Sequence, residues 1–190
     1  MYNFNSMAQR AARPKPRLPA GELWEYAVKA LGSRAHSTGE LRRKLVLRAE
    51  KAADVDDVIS KLRDYGYLND KRFSETYASF RLENQGLGKT RVVRDLRQRK
   101  VSSGLAEVAV NHIYRDVNEI ELIENYIRRK FHPKTPLPEA LKDPKQLAAA
   151  YRRLIRAGFS SSNVIQMLKR ISKGNDLLDG FEPPEEIEEV

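Results

Sequence analysis

The feature that most limits what this chain can fold into is an apolar pattern that occurs three times. Counted from Leu45, apolar residues fall at offsets +10, +13, +14 and +17: Val55, Val58, Ile59 and Leu62. Counted from Leu96, the same offsets hold Ala106, Ala109, Val110 and Ile113; from Leu154 they hold Val164, Met167, Leu168 and Ile171. At +5 the second and third windows carry Val101 and Phe159, where the first carries Glu50. Spacings of three and four are the helical period. Self-similarity between origins 51 and 58 residues apart is the mark of a repeat architecture. No sustained alternation of apolar and polar residues signals a sheet.

Each window reads as helix, short turn, helix. In the third, Gly158 suits a left-handed helix end and Ser160 the cap of the next helix. Ser102 or Ser103 takes the capping role in the second window, and Asp54, with Asp57 three later, in the first. Upstream, Ser37 with Glu40 is a capping box, and Asp143 before Pro144 opens the third window's leading helix. One more apolar-periodic stretch precedes each window, at 24–31, 73–82 and 120–131. The expectation is an all-α chain, a tandem array of three three-helix repeats over residues 22–68, 69–116 and 117–174, elongated and curved. A unit of two or three helices cannot bury its stripe without its third helix or a neighbour. A loop from about His132 to Lys142, with Pro133, Pro136 and Pro138, interrupts the third repeat. Residues 1–20 form a basic, Pro-rich arm with too little apolar content to pack, expected to be disordered. Residues 176–190 are expected to be a flexible acidic tail.

Charge is unevenly spread. The net charge is +9, but residues 176–190 hold seven acids and no base, which leaves +16 on residues 1–175. So large an excess suggests a polyanionic partner, nucleic acid above all; the bland alternative is a solvated helical surface. No apolar run approaches the roughly 20 residues of a membrane span, and cysteine is absent. No disulfide or thiolate metal site is therefore possible, and a cytoplasmic protein without membrane contact is the simplest expectation.

The middle of the chain carries more specific wording: Gly39-Glu-Leu-Arg-Arg-Lys-Leu45, then Tyr65-Gly-Tyr-Leu-Asn-Asp-Lys-Arg-Phe73, then Gly86-Leu-Gly-Lys-Thr-Arg-Val-Val-Arg-Asp-Leu-Arg-Gln-Arg-Lys-Val101. Over about residues 22–172 this resembles the RecX family, bacterial regulators of the RecA recombinase. Ala49-Glu50 departs from the family's usual Gly followed by an aromatic or apolar residue. The resemblance implies three tandem three-helix repeats and a regulator, not an enzyme, that lies in the groove of the RecA–DNA filament and restrains its growth.

No other motif competes. Gly86-Leu-Gly-Lys-Thr90 is a near miss for a phosphate-binding loop, with Glu83 where the first Gly should stand; its glycines read as a turn. His36, His112 and His132 lack metal-ligand spacing, and Asp54, Asp56 and Asp57 read as dipole compensation at a helix start. Neither a cofactor nor a catalytic residue is expected. Trp24, Tyr26, Tyr65, Tyr67, Phe73, Tyr77 and Phe80 could stack on bases, but their helical spacing makes core packing the default.

The basic residues group on the same helix of each repeat: Arg42, Arg43, Lys44 and Arg48; Lys89, Arg91, Arg94, Arg97, Arg99 and Lys100; Arg152, Arg153 and Arg156. If the repeats stack, these helices could form one stripe facing phosphates or acidic loops. The expected partners are thus the RecA filament and single- or double-stranded DNA within or beside it, bound by a monomer. A general helical DNA-binding protein, competing for DNA itself, is the alternative.

Overall fold

The computed structural model describes residues 16–132 and 136–172; the first fifteen residues of the basic arm and the whole acidic tail lie outside the described residues. Among them are ten α-helices and no strand beyond one isolated bridge. The chain is all-α, built of groups of three helices, as the apolar register predicts. It divides into two compact units, residues 1–36 with 40–68, and 37–39 with 69–190.

The first unit holds α1 (Ala20–Ser33), most of α2 (Thr38–Val46) and α3 (Ala52–Asp64). Leu23 and Ala27 of α1, Leu41 and Leu45 of α2, and all four offset positions of α3 form one core, closed by Ala49 and Leu68. The missing apolar residue at Glu50 has a physical answer. Leu18, from the arm expected to be disordered, packs against this core. Its N–H donates to the Arg48 carbonyl at 2.7 Å, and its carbonyl accepts from Glu50 N–H at 3.0 Å. Arg17 Nη1 donates to the carbonyls of Val46 and Ala49, each at 3.1 Å. An arm residue thus takes the place the repeat left empty, and the expectation of disorder fails for residues 17–20. The α3 start also differs: Lys51 precedes the helix without a side-chain cap, and Asp54 lies inside the first turn. There its carboxylate faces the positive end of the helix dipole rather than capping it.

In the second unit, α4 (Asp70–Phe80) runs on through a π-helical turn (Arg81–Gln85) to Gly86, whose φ of +63° ends it. α5 (Lys89–Gln98) and α6 (Ser103–Ile113) complete a core of Ala78, Val92, Leu96, Val101, Ala106, Val110 and Tyr114. α7 (Glu119–Lys130), the short α8 (Leu137–Ala140), α9 (Pro144–Arg156) and α10 (Ser161–Ser172) surround Ile123, Leu147, Leu154, Phe159, Val164, Met167 and Leu168. Leu87 and Leu122 pack against both cores. The segment expected to be a loop contributes α8, and Ala140 and Leu141 are buried from it; residues 133–135 of that loop lie outside the described residues.

Capping follows the expected places more often than the expected atoms. Asp143 accepts from Lys145 N–H at 2.9 Å with Pro144 at the first helical position, as Asp-Pro predicts. Ser102 precedes α6 but its hydroxyl makes no capping bond. Ser160 precedes α10, yet its hydroxyl donates to Glu119, which also accepts from Ser160 N–H at 3.1 Å and from Asn163. α2 begins beside Ser37 as predicted; the Thr38 N–H is taken by Asp70 Oδ1 at 2.7 Å, and Glu40 pairs with Arg34 at 3.3 Å.

Two glycines bring α5 and the α9–α10 turn into backbone contact. Gly158 has φ +93°, and a Cβ on Gly88 would stand 2.1 Å from the Gly158 carbonyl oxygen. Gly88 N–H donates to the Ala157 carbonyl at 2.9 Å, and Thr90 N–H to that of Gly158 at 3.3 Å. The free N–H groups opening α5 thereby satisfy the free carbonyls ending α9.

Candidate functional site

The α5–α9 junction is where the basic residues of the second unit gather. Arg91 Nη1 and Arg94 Nη2 both donate to the Arg156 carbonyl, each at 3.3 Å. Arg91 Nε also donates to Asp95 Oδ1 at 2.9 Å. Asp95, the single acid of α5, is 6% exposed. It takes Arg81 Nη2 on its other oxygen at 3.2 Å and the Tyr77 hydroxyl at 3.3 Å. The carboxylate that could have neutralised the face is thus spent inside. Among the described residues, Lys89, Arg94, Lys100, Arg152 and Arg156 are exposed and make no ion pair. Guanidinium groups held together at one helix C-terminus gain from its dipole, while their mutual repulsion is left for an outside anion to relieve.

The surface continues along α9. Arg153 Nη2 donates to the Lys130 carbonyl at 2.5 Å, and its guanidinium lies 4.4 Å from the Phe131 ring centre. This brings α9 to the last turn of α7, with Arg128, Arg129 and Lys130. Sequence reasoning misses those three because they stand on the leading helix of their repeat, outside the register that flags the others.

The remaining candidates are more tied down. Arg97 pairs with Glu107 at 2.5 Å. Arg99 lies over Tyr77 and Phe73, 4.8 and 5.9 Å from their ring centres. In the first unit Arg42 pairs with Asp56, and Arg48 lies 5.1 Å over the Tyr26 ring. Arg43 is exposed and Lys44 half-buried, and neither makes an ion pair among the described residues. The thirteen candidates are therefore not equivalent: Lys89, Arg94, Arg152 and Arg156 lie by the α5–α9 junction without an ion pair among the described residues, Lys100 lies beyond the other end of α5 against Gly39, and much of the rest holds the fold.

The near-miss phosphate loop is a turn. Lys89 and Thr90 line a cavity of about 270 Å³ that also holds Glu119, Ser160 and the buried Tyr114. The Tyr114 hydroxyl donates to the Leu87 carbonyl at 2.7 Å, and burial pushes its pKa up. His36 is buried, hydrogen-bonded through Nδ1 to the Arg34 carbonyl at 2.9 Å, and burial lowers its pKa. Among the described residues no three His, Asp or Glu side chains gather as metal ligands, and no helix is long and apolar enough to cross a membrane. The aromatic residues divide. Phe73 and Tyr77 stack within the α4–α6 group, but Tyr65, Tyr67 and Phe80 are exposed, against the default of core packing.

The family model for the second three-helix domain of RecX matches residues 69–110. Regulatory protein RecX of Deinococcus radiodurans is 31% identical over 183 residues, covering 95% of this chain and 80% of that one. That of Haemophilus influenzae strain Rd is 28% identical over 146 residues, covering 76% and 91%. In fold, the chain is similar to the crystal structure of RecX from Lactobacillus salivarius, with a TM-score of 0.60 at 18% identity over 80% of this chain and 96% of that one. A second crystal structure of regulatory protein RecX gives 0.61 at 17% identity, over 80% and 71%.

Proposed function

Since this chain belongs to the RecX family of regulatory proteins, we propose that it restrains the RecA recombinase by binding the RecA–DNA filament, with the α5–α9 surface contacting the nucleic-acid backbone. The observation that carries this reading is the Arg91–Arg94 pair on the Arg156 carbonyl, on a helix whose one acid, Asp95, is buried. Arginine pairs of this kind suit phosphate, which accepts bidentate bonds. Each phosphate neutralised releases counterions, so the attraction is strong at low salt and weak at high salt. A protein held beside the filament in this way hinders addition of protomers and the ATP turnover that accompanies it.

The test is ATP hydrolysis by the RecA protein of the same organism on single-stranded DNA, with this protein added well below one copy per RecA protomer. Strong inhibition at such ratios supports action on the filament. Inhibition only when the DNA is saturated refutes it and favours a general DNA-binding protein. In parallel, Arg94→Gln with Arg156→Gln should lower the salt slope of single-stranded DNA binding by about 1.4, two phosphate contacts at roughly 0.7 each. An unchanged slope removes the α5–α9 surface from the mechanism.

A further inference from the structure

Tyr65, Gly66 and Tyr67 form the turn that ends α3. Its backbone is fixed: Gly66 N–H donates to the Arg63 carbonyl and Tyr67 N–H to that of Leu62, each at 2.8 Å, with Gly66 at φ +72°. This paired arrangement is a standard way to close a helix C-terminus. What the turn does not require is two aromatic rings in solvent. Tyr65 is 69% exposed and Tyr67 58%. The Tyr65 ring meets Trp24 edge-on at 5.9 Å and Tyr67 at 6.4 Å. Val28, one turn along α1 from Trp24, is 40% exposed. Among the described residues neither tyrosine hydroxyl has a hydrogen-bond partner.

We infer that Trp24, Tyr65 and Tyr67 form a pre-set aromatic platform that docks on a folded protein surface, the recombinase protomer, while the basic surface of the second unit serves the nucleic acid. This deepens the function proposed above and rests on it. Local charge selects the partner's class. Platforms for single strands lie in basic grooves, whereas the charged residues next to these aromatics in the chain are mixed: Glu22, Glu25 and Asp64 against Lys29, Lys61 and Arg63. A polyanion gains little there. Rigid Tyr and Trp with free polar tips and an apolar neighbour are the composition of protein–protein hot spots. The backbone bonds of the turn fix where the side chains leave the chain and the edge-on ring contacts restrain the rings, so docking loses less conformational entropy.

The test uses the full chain with Tyr65→Ala and Tyr67→Ala together, and Tyr65→Phe with Tyr67→Phe as the milder pair. Both tyrosines are exposed, so the melting temperature of either pair is a sufficient check on folding. The expected result is a loss of about 30-fold in the potency of RecA ATPase inhibition for the alanine pair, a smaller loss for the phenylalanine pair, and affinity for bare single-stranded DNA within about twofold of the parent. An alanine pair as potent as the parent overturns the platform and leaves the proposed function standing. A parallel fall in DNA affinity also overturns it, because the rings then stack on bases. A parent chain that leaves RecA turnover untouched below DNA saturation refutes the function itself, and the platform with it. A parent that light scattering shows to self-associate through these rings, with alanine restoring the monomer, assigns the platform to a second copy and overturns the proposal.

Discussion

Replacing Gly158 by alanine tests the α5–α9 junction on which the basic surface depends. Two costs can be read from the structure. The φ of +93° is unfavourable for any residue with a Cβ, at about 1–2 kcal/mol. The new Cβ would also fall 2.3 Å from Arg91 N and 2.7 Å from the Gly88 carbonyl oxygen. These are backbone atoms, so the α5 entry must move and the bonds from Gly88 and Thr90 to the turn weaken, at about 1 kcal/mol each. The total is about 3–4 kcal/mol. Gly66→Ala is the internal control. Its φ is +72°, but nothing lies within 4 Å of an added Cβ, so only the conformational cost remains, about 1 kcal/mol. For a chain of this size each kcal/mol moves the melting temperature by about 2–4 °C. Thermal unfolding by circular dichroism should then show a drop of about 10 °C for Gly158→Ala and about 3 °C for Gly66→Ala, taking those per-kcal factors. Trp24, the one tryptophan of the chain, reports the first unit separately by fluorescence. Equal drops for the two variants would refute the close backbone approach. The Gly158 variant should also bind DNA more weakly, because displacing α5 separates Arg91 and Arg94 from the Arg156 carbonyl.

Three further outcomes are expected. Asp95→Asn leaves the Arg81 and Arg91 guanidinium groups without their shared carboxylate; with both arginines partly exposed, the loss should be about 2–3 kcal/mol in urea unfolding, at or below the range for a fully buried pair, and an unchanged midpoint would contradict it. His36 has its folded-state pKa lowered by burial, so the unfolded chain binds the proton more readily; stability is complete above about pH 6.5 and falls as pH drops through the folded value. His36→Gln should flatten that part of the melting-temperature profile, and an identical acid slope in both proteins would count against it. Removing residues 176–190 deletes seven acids and should tighten DNA binding at low salt with little change at high salt, an equilibrium titration at two salt concentrations being sufficient to reject it.

Much of the fold is legible in the amino-acid sequence because burial follows the apolar register. Leu45, Leu96 and Leu154 are each 0% exposed, and ten of the twelve offset positions are buried, with Ile113 and Ile171 half-buried at the core edges. Helix ends are less legible because several caps are satisfied by distant atoms. Glu119 serves Ser160 across 41 residues of sequence, and no local pattern encodes such a partner. The basic surface is half legible. The register identifies α5 and α9 as basic helices, but it cannot tell Arg99, lying over Tyr77, from Arg94, anchored at the turn carbonyl.

The turns explain why part of the arm packs against expectation. Counting three residues on from Leu45, Leu96 and Leu154 gives Arg48, Arg99 and Ala157, and each of these carbonyls accepts a bond from chain lying earlier in the sequence. The donors are Leu18 N–H, Ser37 hydroxyl and Gly88 N–H respectively. In the second unit the donors belong to segments that enter α2 and α5. At the first turn the donor comes from the arm, at Leu18, and the apolar position at Glu50 is vacant. Left open, that turn would expose an unpaired carbonyl and part of a core. Residues 17–19 solve it here with two backbone bonds and one leucine. Composition alone marks this segment as unable to pack. It packs because the vacancy is already shaped for it by the repeat, and a single apolar residue suffices to fill it.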